Sequence, residues 1–313
     1  MEKNKNIAVI GTGMIGAAMA ALFTGNGFKA TVLDIKEENL KLGEERYDTY
    51  FQDLIEKGLV TAEDHARCKE LLTFTLDYAD IADAEYIFEC VFEKLDVKYS
   101  VYSEVGKHCK NLKALASSTS ALSVEDLAEG MGDHKDKIFV THPYNPPHLV
   151  PLVEVVRSPY SSDEAQQDLC DLLEYVGKKV IIMKKSAPGF VANRLQHALI
   201  REAVYMVEQG YTDPKGVDDA LKYSFAPRYT SVGLFEHQDA AGLDLVKSIE
   251  DYLFPDLCNA TKTQDLLENL IADGKLGMKS DQGIYAWDDK EKTRFREDAS
   301  SPYLKYFNWK MPK

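Results

Sequence analysis

The chain has 313 residues, 45% of them apolar, which is enough for two domains with sizeable cores. A formal net charge of −14 speaks against nucleic acid, whose affinity rests on lysine and arginine contacts to phosphate. Five scattered cysteines (Cys68, Cys90, Cys109, Cys170 and Cys258) without a Cys-x-x-Cys pair speak against a disulfide framework or a zinc site, and point to a reducing, cytoplasmic setting.

Residues 1–6 carry no apolar leader, and no stretch of 18 apolar residues suggests a membrane span. Residues 7–10, Ile-Ala-Val-Ile, read as a buried parallel strand. Gly11-Thr12-Gly13-Met14-Ile15-Gly16 follows at once, then a helix over 17–23, then a second apolar run, 30–33, ending in Asp34. This is the strand, Gly-x-Gly-x-x-Gly, helix, strand, acid order of a dinucleotide-binding unit. Gly11 serves the tight turn, Gly13 the approach of a pyrophosphate, and Gly16 close packing of helix on strand. The helix start with Met14 and Ile15 offers free amides to phosphate. Asp34 would accept from the ribose hydroxyls and repel a 2′-phosphate, which favours NAD over NADP.

Two helices, 36–57 and 62–72, read as a hairpin inserted after the second strand. Further strands are predicted over 85–92, 114–116, 138–140, 152–156 and 179–183, with helices over 94–109 and 161–176. Ser117-Ser118-Thr119-Ser120 closes one strand at the sheet edge where open α/β sheets bind ligands. Ser123, with Asp126 three residues on, suits a helix N-cap and leaves Ser120 for another partner. In Thr141-His142-Pro143-Tyr144-Asn145-Pro146-Pro147 the prolines break the chain, so His142 ends a strand and Glu154 lies on the next one. A half-buried carboxylate needs a partner, and His142 is the nearest candidate. The pair reads either as a general base with its orienting acid or as a structural histidine beside an acid capped by backbone.

Beyond Ser186 the pattern turns all helical. Pro188 suits a helix first turn, and the following helix is apolar on several faces and expected to be buried. Asn193 on it holds either a ligand or a loop; His197 reads as a core histidine. Helices are also expected over 214–222, 239–253 and 264–273, with a turn over 277–285. The domains are placed at 1–185 and 186–313, the second completing itself as a homodimer. The fold class is α/β: a Rossmann-type, mainly parallel sheet with an inserted helical hairpin, then an all-helical C-terminal domain. No metal constellation is visible; His65 with Cys68 and His108-Cys109 lack second pairs.

These residues, in this order, resemble the 3-hydroxyacyl-CoA dehydrogenases. The marks are the glycine motif with Asp34, the Ser117–Ser120 cluster, His142-x-x-Asn145-Pro146 with Glu154, Pro188-Gly189-Phe190-Val191-Ala192-Asn193-Arg194, and Gly277-Met278-Lys279 with Gly283-Ile284-Tyr285. The resemblance implies reversible oxidation of an L-3-hydroxyl by NAD, with His142 as general base oriented by Glu154. It implies that Ser120 and Asn193 bind the substrate oxygen, and that Glu93, Lys98, Ser120 and Asn145 line the cofactor. General-base help of this kind is worth roughly 10²–10⁴ in rate. One branch of the superfamily, with gulonate and carnitine dehydrogenases and lens λ-crystallin, acts on free hydroxy acids or serves as an NADH-binding structural protein. The double proline after Asn145, the Arg228-Tyr229 segment and the acidic hairpin look like that branch. Arg228 reads as a carboxylate clamp or a surface salt bridge. Ala240-Ala241-Gly242-Leu243-Asp244 looks like the acyl-CoA enzymes, and the breadth of that family sets an acyl-CoA substrate as the expectation.

Overall fold

The computed structural model describes residues 5–313; residues 1–4, part of the stretch read as lacking an apolar leader, lie outside it. The chain forms two compact units, one of residues up to Phe190 together with Asp298–Lys313, the other of Val191–Glu297.

In the first unit the strands are β1 (Asn6–Ile10), β2 (Lys29–Leu33), β3 (Leu72–Thr75), β4 (Tyr86–Glu89), β5 (Ala114–Ser117), β6 (Ile138–Pro143), β7 (Leu152–Arg157) and β8 (Lys179–Met183). They form one sheet in the order β3-β2-β1-β4-β5-β6-β7-β8. All neighbours are parallel except β6 and β7. The apolar runs follow from burial on both faces: Ile7 and Val9 of β1 enter one core, Ala8 and Ile10 the other. Helices α1 (Met14–Gly25), α2 (Glu37–Glu56), α3 (Ala62–Lys69), α4 (Leu95–His108), α5 (Val124–Glu129) and α6 (Asp163–Tyr175) connect the strands. The α2–α3 hairpin is present as expected, with Thr61 and Asp64 forming a reciprocal cap at the start of α3. The helix predicted to run to Leu72 stops at Lys69, and Leu72 opens the edge strand β3, which the reading lacked. β1 lies between β2 and β4, so the chain reverses its direction of travel there and leaves a crevice at the carboxyl edge.

The C-terminal segment corrects the predicted boundary. Residues 298–313 belong to the first unit, because their aromatic side chains complete its core. Trp309 lies against Gly25, where a Cβ would meet its ring at 2.1 Å, and its ring centroid is 5.9 Å from that of Phe51. The Lys310 amide donates to Asn26 Oδ1 at 3.0 Å, and Arg67 Nε to the Pro312 carbonyl at 2.9 Å.

The second unit holds α7 (Ala192–Glu208), α8 (Pro214–Tyr223), α9 (Leu234–Ala241), α10 (Leu243–Leu253) and α11 (Asp265–Ala272), and the residue boundary between the units falls within α12 (Asp289–Ser300). Three expectations change here. Pro188 lies before α7 rather than in its first turn, since Gly189 and Phe190 take positive φ values of 75° and 49° and turn the chain. The helix predicted over 239–253 is divided at Gly242, with φ of 98°. The apolar faces of α7 stay largely exposed among the described residues: Val204 is its one buried residue, and Leu195 and Leu199 are 58% and 42% exposed.

Candidate active site

The three glycines of the first loop do different work. Gly11, with φ of 102°, allows the turn, and a Cβ there would meet the Cys90 carbonyl oxygen at 2.6 Å. A Cβ at Gly16 would meet the Gly11 carbonyl oxygen at 1.9 Å, so that position is closed by packing. A Cβ at Gly13 meets nothing within 4 Å: the space above the start of α1 is open, as an incoming pyrophosphate needs. Met14, 65% exposed, and Ile15 begin the helix beside it. A cavity of about 400 Å³ continues past Asp34, lined on its apolar side by Ile35, Val91 and Phe92. Ile35 and Phe92 are 76% and 78% exposed, apolar walls suited to a base. Asp34 accepts from the Thr12 amide and hydroxyl through Oδ2, at 3.1 and 2.8 Å, and from Asn39 through Oδ1 at 2.7 Å. The hairpin contributes to the same loop. Arg46 Nη1 donates to the Thr12 carbonyl at 2.9 Å and the Tyr50 hydroxyl to the Met14 carbonyl at 3.1 Å. Gly43 faces Thr12 where a Cβ would stand 2.7 Å from its Cβ, so α2 packs directly on the glycine loop. The residues present fit a dinucleotide.

Glu93 and Lys98 divide between crevice and support. Glu93 Oε1 accepts from the Thr119 hydroxyl and from the Ser120 and Ala121 amides at 2.9 and 3.0 Å. Burial opposes its charge, but these bonds and the nearby Lys98 hold its carboxyl below the usual range. Lys98, expected among the cofactor contacts, is buried against Glu89. It is 1% exposed and donates to Glu89 at 2.7 and 3.0 Å, with Glu93 3.6 Å away. Fully buried Glu89, which the sequence reading missed, also accepts from Tyr102, Ser117 and the Val91 amide at 2.9, 2.7 and 3.0 Å. The buried Glu89 charge is thus paired and saturated with donors. Ser123 caps α5, its hydroxyl accepting from the Asp126 amide at 3.0 Å. The Ser120 side chain is exposed, and its hydroxyl has no partner among the described residues.

His142 and Glu154 stand directly opposite each other on antiparallel β6 and β7. Their twelve-residue separation is the length of a strand end, the proline loop and the return. Cross-strand neighbours share a face, and the His142 imidazole Nδ1 meets Glu154 Oε2 at 2.8 Å. A carboxylate accepts, so Nδ1 carries the proton and Nε2 is left for chemistry. The Glu154 side chain is fully buried and that of His142 is 12% exposed. The loop between them, with exposed Asn145 and a cis bond before Pro146, is fastened by Lys178. That lysine donates to the Pro147 carbonyl and, at 2.9 Å, to the Val150 carbonyl. Nothing in the residue pattern marks Lys178, because a lysine next to an apolar strand ordinarily points to water.

Asn193 and Arg228 belong to the second unit. Asn193 is half-buried in the first turn of α7, and its side-chain amide has no partner among the described residues. Arg228 makes no carboxylate pair among the described residues. Its Nη1 donates to His237 Nε2 at 2.6 Å.

Residues 6–186 match the model of the 3-hydroxyacyl-CoA dehydrogenase NAD binding domain, and residues 189–287 that of the 3-hydroxyacyl-CoA dehydrogenase C-terminal domain. A probable 3-hydroxyacyl-CoA dehydrogenase of Caenorhabditis elegans is 29% identical over 92% of this chain and 97% of its own. An L-carnitine dehydrogenase of Oceanobacillus iheyensis is 31% identical over 76% of each chain. Among solved structures, an NAD-dependent dehydrogenase of 5-formyl-3-hydroxy-2-methylpyridine 4-carboxylic acid superposes with a TM-score of 0.83 at 26% identity, covering 96% of this chain and 97% of that one. The crevice of the first unit is that of an NAD-binding domain.

Proposed function

We propose, for a chain that belongs to the 3-hydroxyacyl-CoA dehydrogenase family, that it oxidises the carbon-3 hydroxyl of a small free hydroxy acid, with His142 as general base. NAD, when bound, supplies the hydride-accepting ring. The observation that carries the reading is the His142–Glu154 pair, one nitrogen committed to a buried carboxylate and the other available. His142 Nε2 takes the hydroxyl proton, and Glu154 stabilises the imidazolium that forms. The Ser120 hydroxyl, without a partner among the described residues, steadies the substrate oxygen as charge develops, worth on the order of 3 kcal/mol for one well-placed donor. In the reverse direction His142 returns the proton.

The choice of a free acid over the expected thioester rests on charge. Residues 36–69 hold nine acids against six cations. Lys57 pairs with Asp53, Lys69 with Glu44 and Asp48, and Arg67 with Asp64, while Arg46 is spent on the glycine loop. A CoA nucleotide, with several phosphate charges, would meet a hairpin whose cations are mostly engaged. Arg228, without an acid partner among the described residues, is the proposed partner for a substrate carboxylate. The relatives named for carnitine and for a pyridine carboxylate support this reading. The acyl-CoA reading has the family description and the C. elegans relative in its favour.

A panel of 3-hydroxy compounds, free acids beside CoA thioesters, followed by NADH absorbance, tests the choice. Turnover of free acids alone, with KM raised in Arg228→Met, is expected. Turnover confined to thioesters overturns the free-acid reading, and NADH binding without any turnover would leave a structural, crystallin-like role. A homodimer in the cytoplasm is part of the proposal. The second unit buries only Val204 and Val217 among its apolar side chains, so a second copy is the natural cover for the rest, and all five cysteines are free.

A further inference from the structure

We propose that Phe190 is a positioning residue for His142, its ring covering one face of the imidazole and so fixing the direction of Nε2. The inference rests on the reading of His142 as general base. The two rings lie 4.8 Å apart between centroids at an interplanar angle of 45°, and Phe190 is 2% exposed. Glu154 holds the imidazole at Nδ1, a single point about which a ring can still rotate and tilt. A second contact on the ring face removes that freedom.

The backbone argues that the side chain is the reason for this residue. Phe190 has φ of 49°, in the left-handed region that a bulky L-residue avoids. Among the described residues ten glycines occupy positive φ, and Asp281 is the one other non-glycine. Glycine is therefore this chain's ordinary answer to such a turn, and Gly189, with φ of 75°, stands immediately before. The turn is closed by the Phe190 amide donating to the Ala187 carbonyl at 2.9 Å, a bond that glycine would make equally well. What glycine could not supply is the ring. That ring joins the core cluster containing Val140 and Val156, the strand residues flanking the His142–Glu154 pair, so its own position is fixed by packing. Because Phe190 acts through His142, it is not itself a catalytic residue.

The test compares Phe190→Gly, Phe190→Leu and His142→Gln with the wild type, by histidine-selective ¹⁵N NMR, thermal unfolding and kinetics on the best substrate of the panel. In the wild type, one His142 imidazole state with Nδ1 protonated is expected. In Phe190→Gly, which keeps the backbone turn, that signal should broaden or split, and kcat should fall at least tenfold while KM for NAD stays within twofold. Phe190→Leu, which restores apolar bulk but not the flat ring face, should recover only part of the loss, with a broadened imidazole signal and kcat at least threefold below wild type, and it serves alone if the glycine variant does not fold. A wild-type imidazole signal and kcat within twofold in both variants would overturn the proposal, whatever the thermal midpoint does. So would a loss of folding in the glycine variant with a wild-type signal and kcat in the leucine variant. If His142→Gln retains full activity, the general-base reading fails instead, and the NMR signal alone still decides whether Phe190 orients the ring.

Discussion

Lys178 makes the stability of this protein depend on pH in a window where most side chains are silent. It is 6% exposed, has no carboxylate partner among the described residues, and burial pushes its ammonium down to about 7 from 10.5. A neutral amine has two N–H groups, and the structure offers two acceptors, the Pro147 and Val150 carbonyls. Between about 7 and 10.5 the unfolded chain holds a proton that the folded chain has released. Stability therefore rises with pH across that interval and is lost as pH falls toward 7, below which both states are protonated. The slope approaches about 1.4 kcal/mol per pH unit. From about pH 7 to about pH 8.5 the gain integrates to roughly 1 to 2 kcal/mol. Lys178→Met removes the titration and leaves two carbonyls without a donor. Urea unfolding of both proteins at the two pH values isolates the effect, because the other titrating groups are common to both. The wild type should gain about 1 to 2 kcal/mol more than the variant on going to the higher pH. Equal gains in the two proteins would mean that the lysine reaches water and that the clamp on the proline loop is not as described.

Gly13→Ala should fold normally and weaken NAD at least tenfold by titration, since its methyl group enters the open space above α1. Gly16→Ala should unfold at markedly lower denaturant, because its methyl group collides with the Gly11 carbonyl. Trp309→Ala should cost about 2 to 3 kcal/mol in the first unit, read by circular dichroism, as the ring leaves Gly25 and Phe51. Trp287 is the one other tryptophan, so the fluorescence lost in that variant reports the docked tail. Lys98→Met should destabilise by about 3 to 5 kcal/mol, because fully buried Glu89 loses its cation; a change below about 1 kcal/mol in urea unfolding would show that Glu89 is satisfied by its neutral donors.

Much of the first unit was legible because its physics is local. A glycine loop between two apolar runs, with an acid at the end of the second, leaves few alternatives for residues 7–34, and every element there formed where expected. The His142–Glu154 pair was legible from spacing, because prolines fixed a loop between two strands and an antiparallel return put the two opposite. What failed was what depends on distant partners. β3 is four residues long and gains its identity from pairing with β2. Glu89 and Lys98 sit nine residues apart, and only the crossing of α4 over the sheet shows that they saturate each other. Phe190 looked like one more apolar residue of a helix, since its backbone angle is invisible in sequence. The tail packs on the first unit through contacts more than 200 residues away, such as that of Arg67 with Pro312.

The most direct trial of the account is His142→Gln, assayed for NAD binding and for turnover of the substrate that the panel identifies. An amide of similar size can still donate to Glu154 but has no nitrogen able to take a proton. The account predicts NAD affinity within about twofold of wild type and kcat lower by about 10² to 10⁴. Turnover close to that of the wild type would contradict it, and the proton would then have to leave by another group.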